Sequence, residues 1–395
     1  MTKKENIQNE KIKIGIPRGL IYYHYPKLID TFFKVLGAEI IYSQKTTKKL
    51  LLEALLYASD EECFSAKVFM GHVNDLRKKE LDYIFLPKFH GKHKSDINCP
   101  KFIGLPYVLK AIFDDLPPQL GYYHSRTKAN HRIMHLMKIF LKTGWKVTKN
   151  PFRIIKAIYK AFLAHKEYEE QIRLTKNELK MWERDNIRKC IKCDHYIRSN
   201  RKRCPKCNFI NKIYKKTDAV DVIKVALLGH SYVLEDPILS FQIQNRLKEL
   251  GVECITSEEL PKNIIDQQLE KLYSRLYFKE ERRIVGTALY FLETKSVDGI
   301  IQLIPFPCGP SAVSSEIIMH YGKRYEDTPL LQLMVDDNTG EAGFQTRLEA
   351  FVTMLRRKKF AKIDNKNLIL ETSVPVKGKY FDGEEKSEIK EAGFS

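Results

Sequence analysis

The most informative part of the chain is the stretch Ile301-Gln-Leu-Ile-Pro-Phe-Pro-Cys308-Gly-Pro-Ser-Ala, where an apolar run stops at a cysteine and a helix-like segment follows. This pattern predicts a buried strand, a tight turn and the start of a helix. In an open α/β sheet, ligands bind beyond the carboxyl ends of the strands, where the first N–H groups of the next helix are free. A cysteine placed there is biased towards its thiolate form, although a lone cysteine is more often a buried, inert thiol.

Two further cysteines occupy similar positions. Cys63 lies just ahead of a helical stretch, in Glu61-Glu-Cys-Phe-Ser-Ala-Lys67, and Cys99 opens Cys99-Pro-Lys-Phe-Ile-Gly104 after the apolar strand Leu81–Leu86. Three cysteines at loop-to-helix junctions favour one metal centre over three inert thiols.

The motifs around these cysteines resemble the iron–sulfur component of 2-hydroxyacyl-CoA dehydratases, and the similarity covers most of the chain. The motifs are Glu61-Glu-Cys63, Val68-Phe-Met-Gly-His72, Cys99-Pro-Lys-Phe-Ile-Gly-Leu-Pro106, Cys308-Gly-Pro310, and Thr339-Gly-Glu-Ala-Gly343 followed by Thr346-Arg-Leu-Glu-Ala-Phe351. The nearest subgroup is that of proteins related to acyl-CoA dehydratase activases. It shares ancestry with benzoyl-CoA reductase subunits and with double-cubane cluster proteins.

The resemblance implies flavodoxin-like lobes around a 4Fe-4S cluster that is held by the thiolates of Cys63, Cys99 and Cys308. Three thiolates leave one iron free to bind a substrate oxygen. In the family, a separate ATP-dependent activator protein donates one electron at very low potential, and a ketyl radical of the acyl-CoA thioester expels the 2-hydroxyl group. The implied activity is that of a lyase or of an ATP-dependent reductase component, completed by a second dehydratase-like subunit or by a homodimer.

Two motifs depart from the dehydratase pattern. Ser311 follows Cys308-Gly-Pro where an aspartate is favoured, and Asp337-Asn338 precede Thr339 where Glu-His is usual. The resemblance therefore leaves the substrate undefined.

Composition sets wider bounds. The 395 residues, 43% of them hydrophobic, suffice for two domains and an insert. We expect no signal peptide, no membrane span and no membrane partner, and so a cytoplasmic protein in which eight cysteines indicate metals rather than disulfides. Cys254, in a strand-like segment, is interpreted as a packed core thiol. The net charge of +19 is compatible with polyphosphate ligands, nucleic acid, an acidic protein partner or solubility alone.

Strands and helices alternate in the same order in both halves of the chain. The strand Lys11–Ile16, with a following helix that ends at Gly37, matches the strand Val222–Leu228 and a helix that ends at Gly251. The strands that lead to Cys99 and to Cys308 also correspond. The sequence therefore predicts an α/β protein with two flavodoxin-like parallel-sheet lobes, each presenting a cysteine to a shared cleft.

A basic segment and a cysteine-rich segment separate the lobes. We divide the chain into a first lobe (1–120), a basic helical segment (121–186), a zinc ribbon (187–215), a second lobe (220–376) and a flexible tail (377–395). The spacing of apolar residues in 133–141 and 152–163 predicts amphipathic helices. Their basic faces are interpreted as a solvated cover over the cleft or a partner surface, with phosphates of a coenzyme or nucleic acid as the less favoured ligand.

The cysteine-rich segment contains two CxxC pairs, Cys190-Ile-Lys-Cys193 and Cys204-Pro-Lys-Cys207. Each pair turns two thiolates onto one ion, and four thiolates complete a closed tetrahedron. A structural zinc ion is favoured, and a rubredoxin-like iron would use the same ligands.

Near the end of the chain, Asp336, Asp337 and Glu341 follow the predicted strand Leu330–Val335. They are candidates for acid/base chemistry or, alternatively, caps of the predicted helix Gln345–Arg356.

Two functional hypotheses follow. The first is an iron–sulfur enzyme, or enzyme subunit, for reductive chemistry on an acyl-CoA-like substrate. The second is a non-catalytic zinc-ribbon protein that binds nucleic acid or a protein partner. The three cysteines favour the first, and the positive charge favours the second.

Overall fold

Two four-stranded parallel sheets form the framework of the protein. A computed structural model describes residues 11–88, 97–121, 132–183, 187–189, 196–198, 222–325 and 327–372. The strands of the first sheet are β1 (Lys13–Ile16), β2 (Glu39–Tyr42), β3 (Tyr83–Phe85) and β4 (Gln119–Leu120), in the order β2-β1-β3-β4. A separate short antiparallel pair consists of β5 (Ile187–Lys189) and β6 (Tyr196–Arg198). The strands of the second sheet are β7 (Ile223–Leu228), β8 (Val252–Thr256), β9 (Gly299–Pro305) and β10 (Leu330–Val335), in the order β8-β7-β9-β10.

Both sheets therefore have the same strand order, with the second strand of each lobe at one edge and the first strand beside it. All pairings within them are parallel. The α/β class and the repeated two-lobe plan predicted from the sequence are confirmed. Because parallel strands point the same way, the loops after β1 and β3 leave the first sheet at the carboxyl ends of its strands. The loops after β7 and β9 do the same in the second sheet.

Helices cover the sheets. Those that precede β5 are α1 (Ile21–His24), α2 (Pro26–Leu36), α3 (Lys48–Leu55), α4 (Phe64–Arg77), α5 (Pro100–Ile112), α6 (Arg132–Val147), α7 (Pro151–Ile172) and α8 (Lys176–Glu183). Those that follow β6 are α9 (Ser231–Leu234), α10 (Ile243–Glu249), α11 (Lys262–Leu269), α12 (Lys279–Thr294), α13 (Gly309–Gly322) and α14 (Glu341–Thr372).

Local sequence explains most of these boundaries. All seven residues of β9 are buried, as expected of a strand covered on both faces. α2 ends at Gly37, whose φ of 83° lies in the left-handed region that glycine adopts without strain.

Two boundaries differ from the sequence prediction. The single helix expected over residues 22–36 is two helices, because Pro26 cannot continue the first helix and instead begins the second. α14 begins at Glu341 rather than at Gln345 and continues to Thr372, well past Arg356. A loop was expected up to Phe344, in a segment that contains Gly340 and Gly343. The side chain of Phe344 is buried, however, and packs the first turn of α14 against the core.

The basic helices α6 and α7 pack on the first lobe. One apolar cluster contains Phe140 of α6, Ile154 and Ala157 of α7, and Ile14 and Phe85 of the first sheet. The inner face of this helix pair is therefore part of a hydrophobic core, while the lysine side chains whose burial is described are exposed on α6, and those at 156 and 160 are exposed on α7.

A second apolar cluster joins the two lobes. It contains Phe64 and Val68 of α4 together with Leu227 of β7 and Leu303 of β9. The lobes therefore share buried apolar surface, which is the main stabilising contribution available to an interface of this kind.

A chain of hydrogen bonds crosses the same interface beside α4. His72 is fully buried, and its Nδ1 and Nε2 atoms lie 2.9 Å and 3.0 Å from the hydroxyl oxygens of Ser43 and Thr46. The Thr46 hydroxyl also donates to the carboxylate of Asp236 in the second lobe. Burial lowers the pKa of His72 to about 4, so the imidazole is neutral at pH 7.

The low pKa of His72 predicts a loss of stability in mild acid. The unfolded chain takes up the proton near the ordinary pKa of about 6.5, whereas the folded protein takes it up only near 4. Through His72 alone, the free energy of unfolding should fall by about 2 kcal/mol between about pH 7.5 and pH 5. Urea unfolding of wild type and His72→Gln at both pH values measures the difference, because glutamine does not titrate.

Equal pH dependence in wild type and His72→Gln would contradict the assignment.

Candidate functional site

Three helices begin at the three cysteines singled out in the sequence. Cys63 is the N-cap residue of α4, Cys99 that of α5, and Cys308 that of α13. Each thiol thus lies at the positive end of a helix, where backbone N–H groups are free to donate.

Backbone and side-chain contacts hold the three cysteine segments against one another. The N–H of Phe64 donates to the carbonyl of Phe306 at 2.8 Å, which joins the start of α4 to the loop that carries Cys308. Lys101, in the first turn of α5, donates from Nζ to the carbonyl of Glu61 at 3.0 Å and to the carboxylate of Glu62 at 3.1 Å. These bonds link the Cys99 segment to the Cys63 segment.

The three thiols also influence one another electrostatically. Burial is the main cause that raises the pKa of each thiol, to about 12 for Cys308. Cys99 adds to the rise at Cys63, and Cys63 adds to the rise at Cys308. The structure thus brings the three predicted site residues into one neighbourhood.

Hydrogen-bond donors at the helix starts oppose the effect of burial. The thiolate of Cys63 is stabilised by the N–H of Ala66, and that of Cys99 by the N–H groups of Lys101 and Phe102. The thiolate of Cys308 is stabilised by both the N–H and the hydroxyl of Ser311. A buried thiolate with N–H donors is suited to bind a cation, since the metal charge offsets the cost of burying the anion.

A buried polar group lies beside Cys308 that the sequence analysis did not identify. His230, directly after β7, has its Nε2 atom 2.8 Å from the Glu281 carboxylate and its Nδ1 atom 2.7 Å from the Tyr232 hydroxyl. Ligand atoms of His230, Glu281 and Cys308 all lie within 4.8 Å of one another. Burial lowers the pKa of His230, but the carboxylates of Glu281, Glu280 and Glu258 together outweigh burial, and the net shift is upward.

A second group of buried charges lies at the lobe interface near the start of α12. Glu280 is 3.8 Å from His24 and 3.9 Å from Arg283, and Arg283 also pairs with Glu258. Burial lowers the pKa of His24 to about 3, so the imidazole is neutral. Because the two cations Arg283 and Lys279 both act on the two carboxylates, this group resembles a balanced ion cluster more than a free cation site.

The carboxylates after β10 have structural partners. Asp336 accepts hydrogen bonds from the Thr339 hydroxyl at 2.6 Å and from the Asn338 N–H at 3.0 Å, which closes the turn before α14. Glu341 pairs with Arg246 at 2.5 Å. These contacts favour the capping interpretation over acid/base chemistry.

Asp337 pairs across the lobe interface with Lys67 of α4. Their charged atoms are 2.9 Å apart, and the Lys67 and Asp337 side chains are only 7% and 16% exposed. Lys67 lies one helical turn after Cys63, so this ion pair fixes the start of α4 against the second lobe.

An apolar pocket opens at the edge of the first sheet. Its empty volume, counted together with the open solvent at its mouth, is about 400 Å³. It is lined by residues that follow β1 and β3 and by the first half of α5, including Leu20, Tyr22, Phe69, Leu86, Phe102 and Leu105. Among the described residues no charged side chain lines it, so it is suited to an apolar group.

The remaining cysteines divide into two sets. Cys190, Cys193, Cys204 and Cys207 lie outside the described residues, although β5 and β6 on either side of the first CxxC pair form an antiparallel hairpin. Cys254 lies on β8 and packs against the apolar cluster that joins the lobes.

Comparison with known proteins places the chain among CoA-related proteins. A family model described as CoA enzyme activase uncharacterised domain matches residues 13–260, more than half of the chain. No curated protein matches the chain. Among solved structures, a protein described as sugar binding from Salmonella typhimurium LT2 is 8% identical over 88% of each chain, with a TM-score of 0.23. That score is too low to add anything to the description of the fold.

The buried ion pair supports a stability prediction. Asp337→Ala would leave the Lys67 ammonium buried without its partner, which should lower the free energy of unfolding by about 3–5 kcal/mol. Replacing both residues, as Lys67→Met with Asp337→Leu, should restore most of that loss, because no charge is then buried. Chemical denaturation measures all three proteins.

The exposed pair Lys295–Asp327 is the matched control. Its charged atoms are 2.8 Å apart and both side chains are 54% exposed. Asp327→Ala should cost at most about 1 kcal/mol. An equal cost at the two sites would show that the Lys67–Asp337 pair is solvated rather than buried.

Proposed function

Because the chain belongs to the family of the CoA enzyme activase uncharacterised domain, we propose that it is the iron–sulfur component of an enzyme that acts on an acyl-CoA-like substrate. The observation that supports the proposal is that Cys63, Cys99 and Cys308 cap three helices whose first turns are joined by hydrogen bonds. The reaction class we propose is that of the 2-hydroxyacyl-CoA dehydratases.

In this proposal, Cys63, Cys99 and Cys308 hold a 4Fe-4S cluster. The donor set is compatible with such a group, because each buried sulfur faces backbone N–H donors that stabilise a thiolate. When bound, the cluster would supply a low-potential electron and one iron with an open coordination position.

The protein's own groups would prepare the substrate. The apolar pocket beside α5 would take the acyl chain and exclude water from it. The pair formed by His230 and Glu281, buried next to Cys308, would hold a proton close to the reacting group. In the net reaction, a hydroxyl group from C2 and a proton from C3 leave as water. Because this loss of water involves no net oxidation or reduction, the electron that starts the reaction is recovered and not consumed.

The electron would come from an ATP-dependent activator, and we propose a separate protein for this role; the 395 residues contain no Walker A motif. A second dehydratase-like subunit, or a second copy of this chain, would complete the enzyme. Reduction of the substrate by an ATP-dependent reductase would use the same cysteine site and the same kind of partner.

The cysteine-rich segment would have a different role. We propose that Cys190, Cys193, Cys204 and Cys207 bind one structural zinc ion, with the β5–β6 hairpin as its base. The alternative function, a non-catalytic protein that binds nucleic acid or a partner, is favoured by the net charge of +19.

Loss of any one cluster ligand should remove the cluster. Cys63→Ala, Cys99→Ala and Cys308→Ala should each lose most of the iron and acid-labile sulfide found in anaerobically purified wild type, because two thiolates rarely retain a cubane. Cys254→Ala is the matched control and should keep both.

Iron and sulfide analysis, with visible absorption spectra, measures the result. A colourless, iron-free wild type from strictly anaerobic cells, with zinc still bound, would contradict the enzyme proposal and favour the binding-protein alternative.

The two metal sites should be independent. Cys193→Ser should abolish zinc binding while the iron content and visible spectrum stay unchanged, because the four ribbon ligands are separate from the cluster ligands. Simultaneous loss of zinc and iron would contradict this independence.

A further inference from the structure

The longest stretch of the chain without an acidic residue runs from Leu116 to Lys166. This stretch contains eleven lysine and arginine residues and no aspartate or glutamate. Most of it is the helix pair formed by α6 and α7. Such a segment attracts an anionic surface without local acidic residues to compete for its cations.

Helix α7 is apolar on two opposite faces. Its inner face contributes Ile154, Ala157, Ile158 and Ala161 to the core of the first lobe. Its outer face carries a second stripe at helical spacing, Phe152, Ile155, Tyr159 and Leu163, which are 82%, 59%, 70% and 44% exposed. The inner face already satisfies the packing of the lobe, so the outer stripe needs another explanation.

Helix α6, which shares the core of the first lobe with α7, carries exposed apolar side chains of its own. Trp145, in its last turn, is 48% exposed, and Leu141, one turn earlier, is 43% exposed. Phe152 begins α7 only a few residues later. We call Leu141, Trp145, Phe152, Ile155, Tyr159 and Leu163 the outer stripe.

Exposed lysines flank the outer stripe. Lys156 and Lys160 lie next to Ile155 and Tyr159 on α7, and Lys146 lies next to Trp145 on α6. Lys149, in the turn, donates to the carbonyl of Trp145 at 3.0 Å. Apolar and cationic side chains are therefore presented together on one surface.

This combination restricts the nature of the partner. A second copy of the same surface would bring two uniformly basic segments together, which Coulomb repulsion opposes. A nucleic acid would neutralise the lysines but would leave Ile155 and Leu163 against charged phosphates. An anionic lipid bilayer satisfies both, because aromatic and aliphatic side chains enter the interface while lysines contact the headgroups.

We propose that the α6–α7 helix pair is a docking surface for the anionic face of a lipid bilayer. Lysines near such a surface are attracted to the anionic headgroups, and the outer stripe adds the burial of apolar area. The helices lie on the membrane rather than cross it: none in the described residues combines the length and apolar character that a span requires. The expectation that the protein has no membrane partner rested on the absence of a span and did not consider a surface-bound helix. This inference is independent of the cluster.

The protein contains a built-in reporter for this test. Trp145 is half-exposed on the outer stripe, whereas Trp182, the only other tryptophan, is fully buried. Insertion should shift the fluorescence of Trp145 to shorter wavelength and leave that of Trp182 unchanged. The full-length protein is mixed with phosphatidylcholine vesicles that contain phosphatidylglycerol, and binding is also measured by co-sedimentation.

We expect binding to these anionic vesicles, at least about tenfold weaker binding to pure phosphatidylcholine vesicles, and weaker binding at high salt. The double variant Phe152→Ser/Tyr159→Ser should lose at least about tenfold in affinity, because two large apolar side chains no longer enter the interface. Lys156→Gln/Lys160→Gln should lose affinity for anionic vesicles only.

Exposed residues elsewhere supply the controls. Tyr273→Ser, at a side chain that is 97% exposed, and Lys262→Gln, on α11, should leave vesicle binding unchanged. All variants should keep the wild-type unfolding midpoint, since the changed side chains lie outside the core.

Three results would overturn the proposal. The first is no binding to anionic vesicles, or equal binding to neutral ones. The second is tight binding of a DNA or RNA duplex that depends on the lysines but not on Phe152 and Tyr159, which would assign the surface to nucleic acid. The third is a concentration-dependent dimer that the Phe152→Ser/Tyr159→Ser variant abolishes, which would assign it to a second copy.

Discussion

The arrangement of the two lobes depends on the burial of helix α4. Twelve of its fourteen residues are buried, whereas a helix on the surface of a domain usually buries one stripe. α4 therefore belongs to both lobes at once. Two of the polar side chains that it carries into the interior, Lys67 and His72, have partners that lead to the second lobe. The burial of α4 also fixes the position of Cys63, because this residue caps α4 and cannot move independently of the helix.

Burial also determines the chemistry of the three thiols. In a metal-free interior the desolvation of a thiolate is costly, and the high pKa of Cys308 is the direct result. The N–H donors at three helix starts reduce that cost but do not remove it. The neutral thiol is favoured in these surroundings, whereas a thiolate there would be stabilised by a bound cation. The surroundings of the three cysteines are therefore compatible with their proposed role as metal ligands.

The sequence predicts the features that are encoded locally. The run from Ile301 to Cys308 combined an apolar strand with a proline and glycine turn, and the structure contains the strand, the turn and the helix that it indicated. The repeated strand order was visible because both lobes use the same spacing of strand, helix and glycine. The sequence could not predict that His230, Glu281 and Tyr232 meet beside Cys308, because they come from two separate segments with no characteristic spacing. Their only local signal was position: His230 directly follows a buried strand, and Glu281 lies in the first turn of a helix.

Helix α7 illustrates a different limit of sequence analysis. A periodic apolar pattern shows that a helix has an apolar face, but α7 has two such faces, and only tertiary packing determines which of them is covered. Net charge has the same ambiguity, since +19 does not reveal where the charge lies. The structure resolves both questions together: the inner face of α7 is used by the first lobe, and the acid-free stretch places its cations around the outer face. Charge that is concentrated beside exposed apolar side chains is more specific than charge spread over a surface. Spread charge maintains solubility, whereas this combination requires a partner that is both anionic and apolar.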